Sequence, residues 1–534
     1  MSVAASAHTS SKASTLTLVG LILAVSMTTI DQTIVALSAP TIQSELSLSH
    51  SGVQWAINVY LLTMAAVFLL GGRLADVWGH KKMVLVGISG FALFSLLCGL
   101  TPAGDFAEAW LVTARALQGA SGALMFPAAI GIVVQTFPKE GRASAMATFF
   151  AITGAMTAVG PIAGGFLTEW TWRSIFWINI PIAIAAIIIV VISASRTPRK
   201  DERIDWTGAL LVAIGMALIV FGLQQASVWG WSSVGVWGAL VLGAVFLVLF
   251  GLFERRTAEP LVKLRVFKDR SFTVSTLAIL ASSFAFLAAF YFLSVYGQVS
   301  LKLSATATGL LFLKFFIGFV IAAQLGARVF DRGGARPVLA LGGLAGAAGF
   351  AWLAAISTDL SIDGESFVNP QLWPLLVAGA GIGFMFSAAS TDAVNRAIGA
   401  SYGEVSAITQ TMKNFGGSVG IAVLTTLVTT QLSTNLTTSI TGLGGSATDA
   451  QGVVNAVTGA SGDGNSSSLG SLPAAVQQQV EAAVQADYAN AVQWAFFGMA
   501  AAMVVVFLLS LVYPRGKRVP AADPLAADQA PAPV

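Results

Sequence analysis

Residues 71–82 read GGRLADVWGHKK, and residues 327–337 read ARVFDRGGARP. Aligned, Asp76 and Gly79 fall on Asp331 and Gly334, and Lys81 falls on Arg336. A second echo joins VGPIAGG, where Gly160, Pro161 and Gly164 sit, to Gly416, Gly417 and Gly420, which keep the same spacing. Two echoes in the same order are the mark of a duplicated architecture. The apolar runs that flank them decide what was duplicated.

Of the 534 residues, 56% are hydrophobic and only 10% are charged, against roughly a quarter charged in ordinary soluble chains. A soluble fold cannot hide that much apolar surface. A spanning helix needs about 20 mainly apolar residues, and fourteen such runs are expected near 16–38, 52–72, 83–101, 110–136, 143–168, 174–194, 206–225, 232–253, 271–297, 305–326, 338–356, 372–398, 403–431 and 491–513. Both echoes are offset by eight of these runs. That offset is what two pseudo-symmetric six-helix bundles give when one extra pair, the seventh and eighth spans, is inserted between them. The expected organisation of this all-α membrane protein is therefore a bundle over 1–200, the inserted pair with its linkers over 201–259, and a second bundle over 260–513. A polar tail follows at 514–534. The second bundle carries a long outer loop at about 432–490, rich in Ser, Thr, Gly and Asn and read as a solvated spacer; its stretch from Pro473 is alternatively an amphipathic helix.

Charge supplies the orientation. With both termini cytoplasmic, 23 of the 28 Lys and Arg residues fall in cytoplasmic segments, Arg173 and Lys302 fall in outer loops, and Arg115, Lys314 and Lys413 lie inside helices. The basic residues are spread over loops and form no patch, so nucleic acid is not expected as a partner. The single Cys98 excludes an intramolecular disulfide and a multi-Cys metal site. No lysine stands in a G-x-x-x-x-G-K-[ST] setting, so no nucleotide site is expected. No Ser/His/Asp set or soluble catalytic domain appears, and the expectation is a transporter, not an enzyme, with no cofactor. A monomer in the lipid bilayer is expected.

Five stretches carry a family resemblance. They are Asp31, Thr33, Ile34, Val35 and Pro40; Gln54, Trp55 and Tyr60 leading to Gly72, Arg73, Asp76 and Gly79; Arg115, Gln118, Gly119 and Gly122; Gly160, Pro161, Gly164 and Gly165; and Trp172, Arg173, Phe176, Asn179 and Pro181. In this order and on these helices they resemble the major facilitator superfamily, specifically its fourteen-helix drug:proton antiporters. The resemblance covers nearly the whole chain and is densest in the first 200 residues. It implies the major facilitator fold and proton-coupled export of amphipathic, cationic compounds by alternating access. It implies coupling roles for Asp31 and Arg115, a gate latch at Gly72, Arg73, Asp76 and Gly79 with Asp331 as its echo, and an antiport motif at Gly160, Pro161, Gly164 and Gly165. Met156 stands where the family often has an earlier Gly, and Lys314 where it has Pro or an apolar residue.

The residues themselves support part of this. Placing a charge in the bilayer core costs about 2.5–3.5 kcal/mol on insertion scales, so intramembrane charges need a reason. Counting 1.5 Å per residue from the helix ends puts Asp31 roughly 10 Å and Arg115 roughly 8 Å below the outer face, within reach of each other. A carboxylate in an apolar wall beside a guanidinium can load and release protons; the plainer reading is an ion pair that only fixes helix packing. Lys314 and Lys413 at mid-depth, with Asp392 and Glu404 near the inner face, offer charge to a cavity. Substrate contact stands beside snorkelling or pairing with Asp31 as the reading of these lysines. Phe126, Phe149 and Phe315 are candidates for an apolar pocket wall, beside the plainer reading that they face lipid or other helices. Other readings of the cargo are an endogenous lipid or secondary metabolite, and of the direction, uptake by symport.

Overall fold

The computed structural model describes residues 2–137, 139–195, 204–360, 368–395, 402–443 and 474–514. Among the described residues every regular element is helical. The first bundle holds α1 (Ser2–Leu46), α2 (His50–Trp78), α3 (His80–Gly99), α4 (Ala107–Thr136), α5 (Lys139–Trp170), α6 (Ser174–Trp177) and α7 (Asn179–Ser193). The inserted pair is α8 (Trp206–Trp229) and α9 (Val234–Glu254). The second bundle holds α10 (Arg270–Val295), α11 (Ala305–Gly333), α12 (Ala335–Ile356), α13 (Leu372–Asn395), α14 (Tyr402–Gly442) and α15 (Ala474–Val512). Thirteen helices are long and apolar enough to cross a membrane when α6 and α7 count as one crossing, and α13, with a shorter apolar part at Leu372–Met385, supplies the fourteenth.

Four features depart from expectation. The sixth span is broken at Ile178, three residues before Pro181, whose missing amide cannot continue the α6 ladder. The first span, expected from about residue 16, belongs to a helix that begins at Ser2. The outer loop is shorter than 432–490, because α14 runs to Gly442 and α15 begins at Ala474. The second span, expected to end near residue 72, continues to Trp78, so Gly72 lies inside α2.

The turns between α2 and α3 and between α11 and α12 bear out the first echo. Gly79 has φ +96° and Gly334 φ +73°, backbone that L side chains rarely adopt. Each glycine amide closes its helix, on Ala75 O at 3.0 Å and on Phe330 O at 2.9 Å.

Polar contacts tie the inserted pair to both bundles. Asn58 on α2 donates to Gln224 of α8 at 2.9 Å and its carboxamide oxygen accepts from Ser418 of α14. Thr426 of α14 donates to Leu223 O at 2.9 Å. At membrane depth such bonds hold helices that hydrophobicity alone does not drive together.

Candidate functional site

The second half of α1 is where the first bundle concentrates its chemistry. Asp31 is fully buried and uses both carboxylate oxygens on α4: Arg115 Nη1 donates to Oδ2, and Gln118 Nε2 donates to Oδ1 at 3.0 Å. Arg115 and Gln118 are one helical turn apart and so share a face, and Arg115 Nη1 also donates to Gln118 Oε1 at 2.7 Å. The guanidinium is fixed from a third side, with Nε on Ala56 O of α2 at 3.1 Å and its plane 4.2 Å from the Tyr60 ring. Tyr60 is held in turn by its hydroxyl on Thr28 O at 3.2 Å. The expected meeting of Asp31 and Arg115 is thus present. Gln118, named only for its family spacing, is the third member, and the Ala56 carbonyl and Tyr60 ring are further ones that spacing along one helix does not reveal.

Glycines set how closely neighbouring helices approach this centre. A Cβ at Gly160 would stand 2.9 Å from Ile30 O and collide with Thr33, one and two residues from Asp31 on α1. Thr33 donates across the same seam to Thr157 O at 3.2 Å. Gly164 faces Ile34 and Leu37 of α1, whereas Gly165 faces the other bundle, where a Cβ would meet Thr306 Cα at 2.9 Å and Ala305 O at 3.1 Å. Pro161 presents its carbonyl to Gly309 of α11. The four-residue motif therefore grips α1 on one side and α11 on the other.

Gln32, next to Asp31, crosses between the bundles, donating to Asn414 Oδ1 on α14 at 3.1 Å. Lys413, its neighbour on α14, is buried. Neither lysine of the second bundle is paired with Asp31, whose carboxylate is occupied by Arg115 and Gln118; Lys314 donates to Asn369 Oδ1 at 3.0 Å, just before α13. Asp392, expected to offer charge to a cavity near the inner face, is buried. It accepts from Ser275 Oγ at 2.9 Å and from the Tyr513 hydroxyl, tying α13 to α10 and to the end of α15. The Glu404 side chain lies outside the described residues. Phe126 and Phe149 are buried edge to face at 6.2 Å, whereas Phe315 belongs to a separate cluster on Phe286 and Phe350, so the three do not share one wall.

Around the α2 to α3 turn, Arg73 reaches Glu259 at 3.0 Å, and Asp76 stands 3.5 Å from His80 Nε2. Lys81 donates to Val191 O and Ala194 O, capping the end of α7. A Cβ at Gly72 would stand 3.8 Å from the Ala407 side chain, so this stretch abuts α14 of the second bundle near its start. Asp331 is exposed. On the side away from these basic turns, a cleft of about 410 Å³ opens between α1, α5 and the α10 to α11 turn, lined by Thr41, Glu169, Gln298 and Ser304 among others.

Comparison with known proteins gives the family. The chain is 32% identical over 415 residues to the tetracenomycin C resistance and export protein of Streptomyces glaucescens, covering 77% of this chain and 75% of that one. It is 34% identical over 402 residues to the puromycin resistance protein pur8 of Streptomyces alboniger, covering 74% and 78%. Among solved structures, that of the POT family transporter PepTSo superposes with a TM-score of 0.59 over 93% of this chain and 97% of that chain, at 13% identity, a likeness of fold. Residues 21–421 match the Major Facilitator Superfamily, and the chain belongs to that family of multi-pass membrane transporters.

Proposed function

We propose that the protein is a proton-driven antiporter that exports amphipathic, cationic drugs or toxic compounds by alternating access, with Asp31 as the proton carrier. The observation that carries this reading is the buried Asp31, Arg115 and Gln118 constellation, clamped between α1 and α4 and gripped from behind by the Gly160 to Gly165 motif. Protonating Asp31 removes the negative charge that balances Arg115, so the bond that ties α1 to α4 weakens. A shift of α1 is felt by α5 through the tight Gly160 contact and, through Gly165, by α11 of the second bundle. The same rigid seam thus links a protonation event to the relative position of the two bundles. Arg115 acts as the positioning charge. The turns at Gly79 and Gly334, with Arg73, Asp76 and Asp331, serve as the gate on the cytoplasmic side, where the basic loops lie.

Energy suffices for this work. One proton moving down about 100 mV and one pH unit supplies about 3.7 kcal/mol, enough for a few-hundred-fold gradient of a neutral compound. Names of the relatives, a resistance and export protein for tetracenomycin C and a puromycin resistance protein, speak for antibiotics as cargo. They equally favour a secondary metabolite as the cargo of this chain. Ethidium efflux from proteoliposomes under an imposed pH gradient tests the proposal. Wild type is expected to transport and Asp31→Asn, inserted normally, to lose gradient-driven transport. An active Asp31→Asn variant refutes the proton-carrier role, and a folded wild type that ignores ethidium but moves a secondary metabolite shifts the cargo to the second reading.

A further inference from the structure

Above the apolar part of the second bundle, an open cleft of about 330 Å³ lies between the extensions of α14 and α15, and the transport reading does not use it. Asn435, Thr438 and Ser439 line it from α14, and Asp487, Asn490 and Trp494 from α15. Asp487 is the unusual member. It is only 7% exposed, one of its oxygens accepts a hydrogen bond from Ser439, and the other, Oδ2, has no hydrogen-bond partner among the described residues. The lysine of the neighbouring α10 to α11 turn does not serve it, because Lys302 is spent on Glu481 at 2.8 Å.

A buried carboxylate with an unused oxygen costs free energy that a positive charge would recover. We infer that the cleft is a binding site for an ammonium group, drawn there by the charge of the Asp487 carboxylate and held by the neutral oxygens of Asn435, Asn490 and Thr438 and against the ring of Trp494. One anion matches one positive charge, and among the described residues no three His, Cys, Asp or Glu stand together to hold a metal ion. Trp494 is half exposed and packs edge to face on Phe497 at 6.1 Å, the kind of aromatic pair that sits at headgroup level and offers a face to a cation. The ammonium therefore has two sources, the ethanolamine headgroup of a phospholipid in that leaflet or a soluble primary amine. Neither requires that the protein export cations or couple to protons, so the site stands or falls apart from the proposed function.

Amide hydrogen exchange of the full-length protein in lipid nanodiscs tests it, read over residues 431–443 and 478–494. Ethylammonium chloride is added to phosphatidylglycerol discs, with sodium chloride as the ionic-strength control, and phosphatidylethanolamine is incorporated in a parallel set. Wild type is expected to exchange at least threefold more slowly in these segments with one ammonium source, and Asp487→Asn to show no slowing. Slowing by ethylammonium assigns a soluble amine; slowing by phosphatidylethanolamine alone assigns the lipid. Asn435→Leu fills the cleft while keeping the carboxylate, and it is expected to abolish the slowing even if Asp487→Asn loosens the hairpin by itself. No slowing with either source, or slowing retained in either variant, overturns the inference.

Discussion

Asp31 and Arg115 are a charge pair without solvent, and their energetics follow from that. A buried pair gains little over an apolar replacement, but losing one partner leaves the other uncompensated at a cost of about 3–5 kcal/mol. Arg115→Leu strands Asp31 with only Gln118 and gives up the bond to Ala56 O, so its unfolding free energy in detergent is expected to fall by about that amount. Asp31→Leu with Arg115→Leu removes both charges, and the loss is expected to be smaller than the sum of the single losses. Additive losses would show that the two do not act as a pair. Both residues were legible in the sequence because a charge inside an apolar run is conspicuous. Gln118 and Tyr60 were named by the resemblance, but their orienting role was not legible, because they and Ala56 O become partners only through the register of α4 against α1 and α2. Lys314 shows the same limit: its partner Asn369 lies 55 residues away, beyond the far end of α12, and nothing in the hydropathy of α11 announces it.

At the scale of helices, small residues decide which elements approach closely. The seam between α5 and α11 runs past Gly165, where any side chain meets the α11 backbone, and backbone cannot yield as a flexible side chain can. Gly165→Val is therefore expected to lower transport at least tenfold while inserting normally. Gly154→Val, on the same helix with nothing within 4 Å of its Cβ position, is expected to transport like wild type. Equal transport by the two variants would mean that the α5 to α11 seam does not take part in the cycle. The glycine motif was visible in the sequence, but which glycine faced α1 and which faced α11 was not, since that depends on helix rotation. The extension of α14 was hidden for a different reason. Residues 432–442 are rich in Thr and read as solvated loop, yet Leu432, Leu436 and Ile440 recur every fourth position, are buried, and give the segment one apolar stripe. Thr434, Thr438 and Thr441 return their hydroxyls to carbonyls four residues back, so polar side chains are accommodated on the helix itself.

For the whole molecule, the count of spans and the repeat were legible because both rest on hydropathy and on turn glycines, signals that survive without tertiary context. The path of the inserted pair was not, because it depends on Asn58, Gln224 and Ser418 meeting at one depth on three helices. Direction of transport depends on orientation, and the charge asymmetry predicts that the loop after α9, with Arg255, Arg256 and Lys263, lies in the cytoplasm and the α8 to α9 turn outside. Cysteine labelling in intact cells measures this directly. Cys98 is fully buried on Gln118, so the wild type is expected to stay unlabelled by a membrane-impermeant maleimide. Ser232 and Ala258 are both exposed at opposite ends of α9. Ser232→Cys is expected to react from outside, and Ala258→Cys only after the membrane is opened. The reverse pattern would invert the chain, put the Gly79 and Gly334 turns on the outer face, and make a proton entering from outside reach Asp31 through the side now assigned to the gate; the coupling that drives export would then have to be read as uptake.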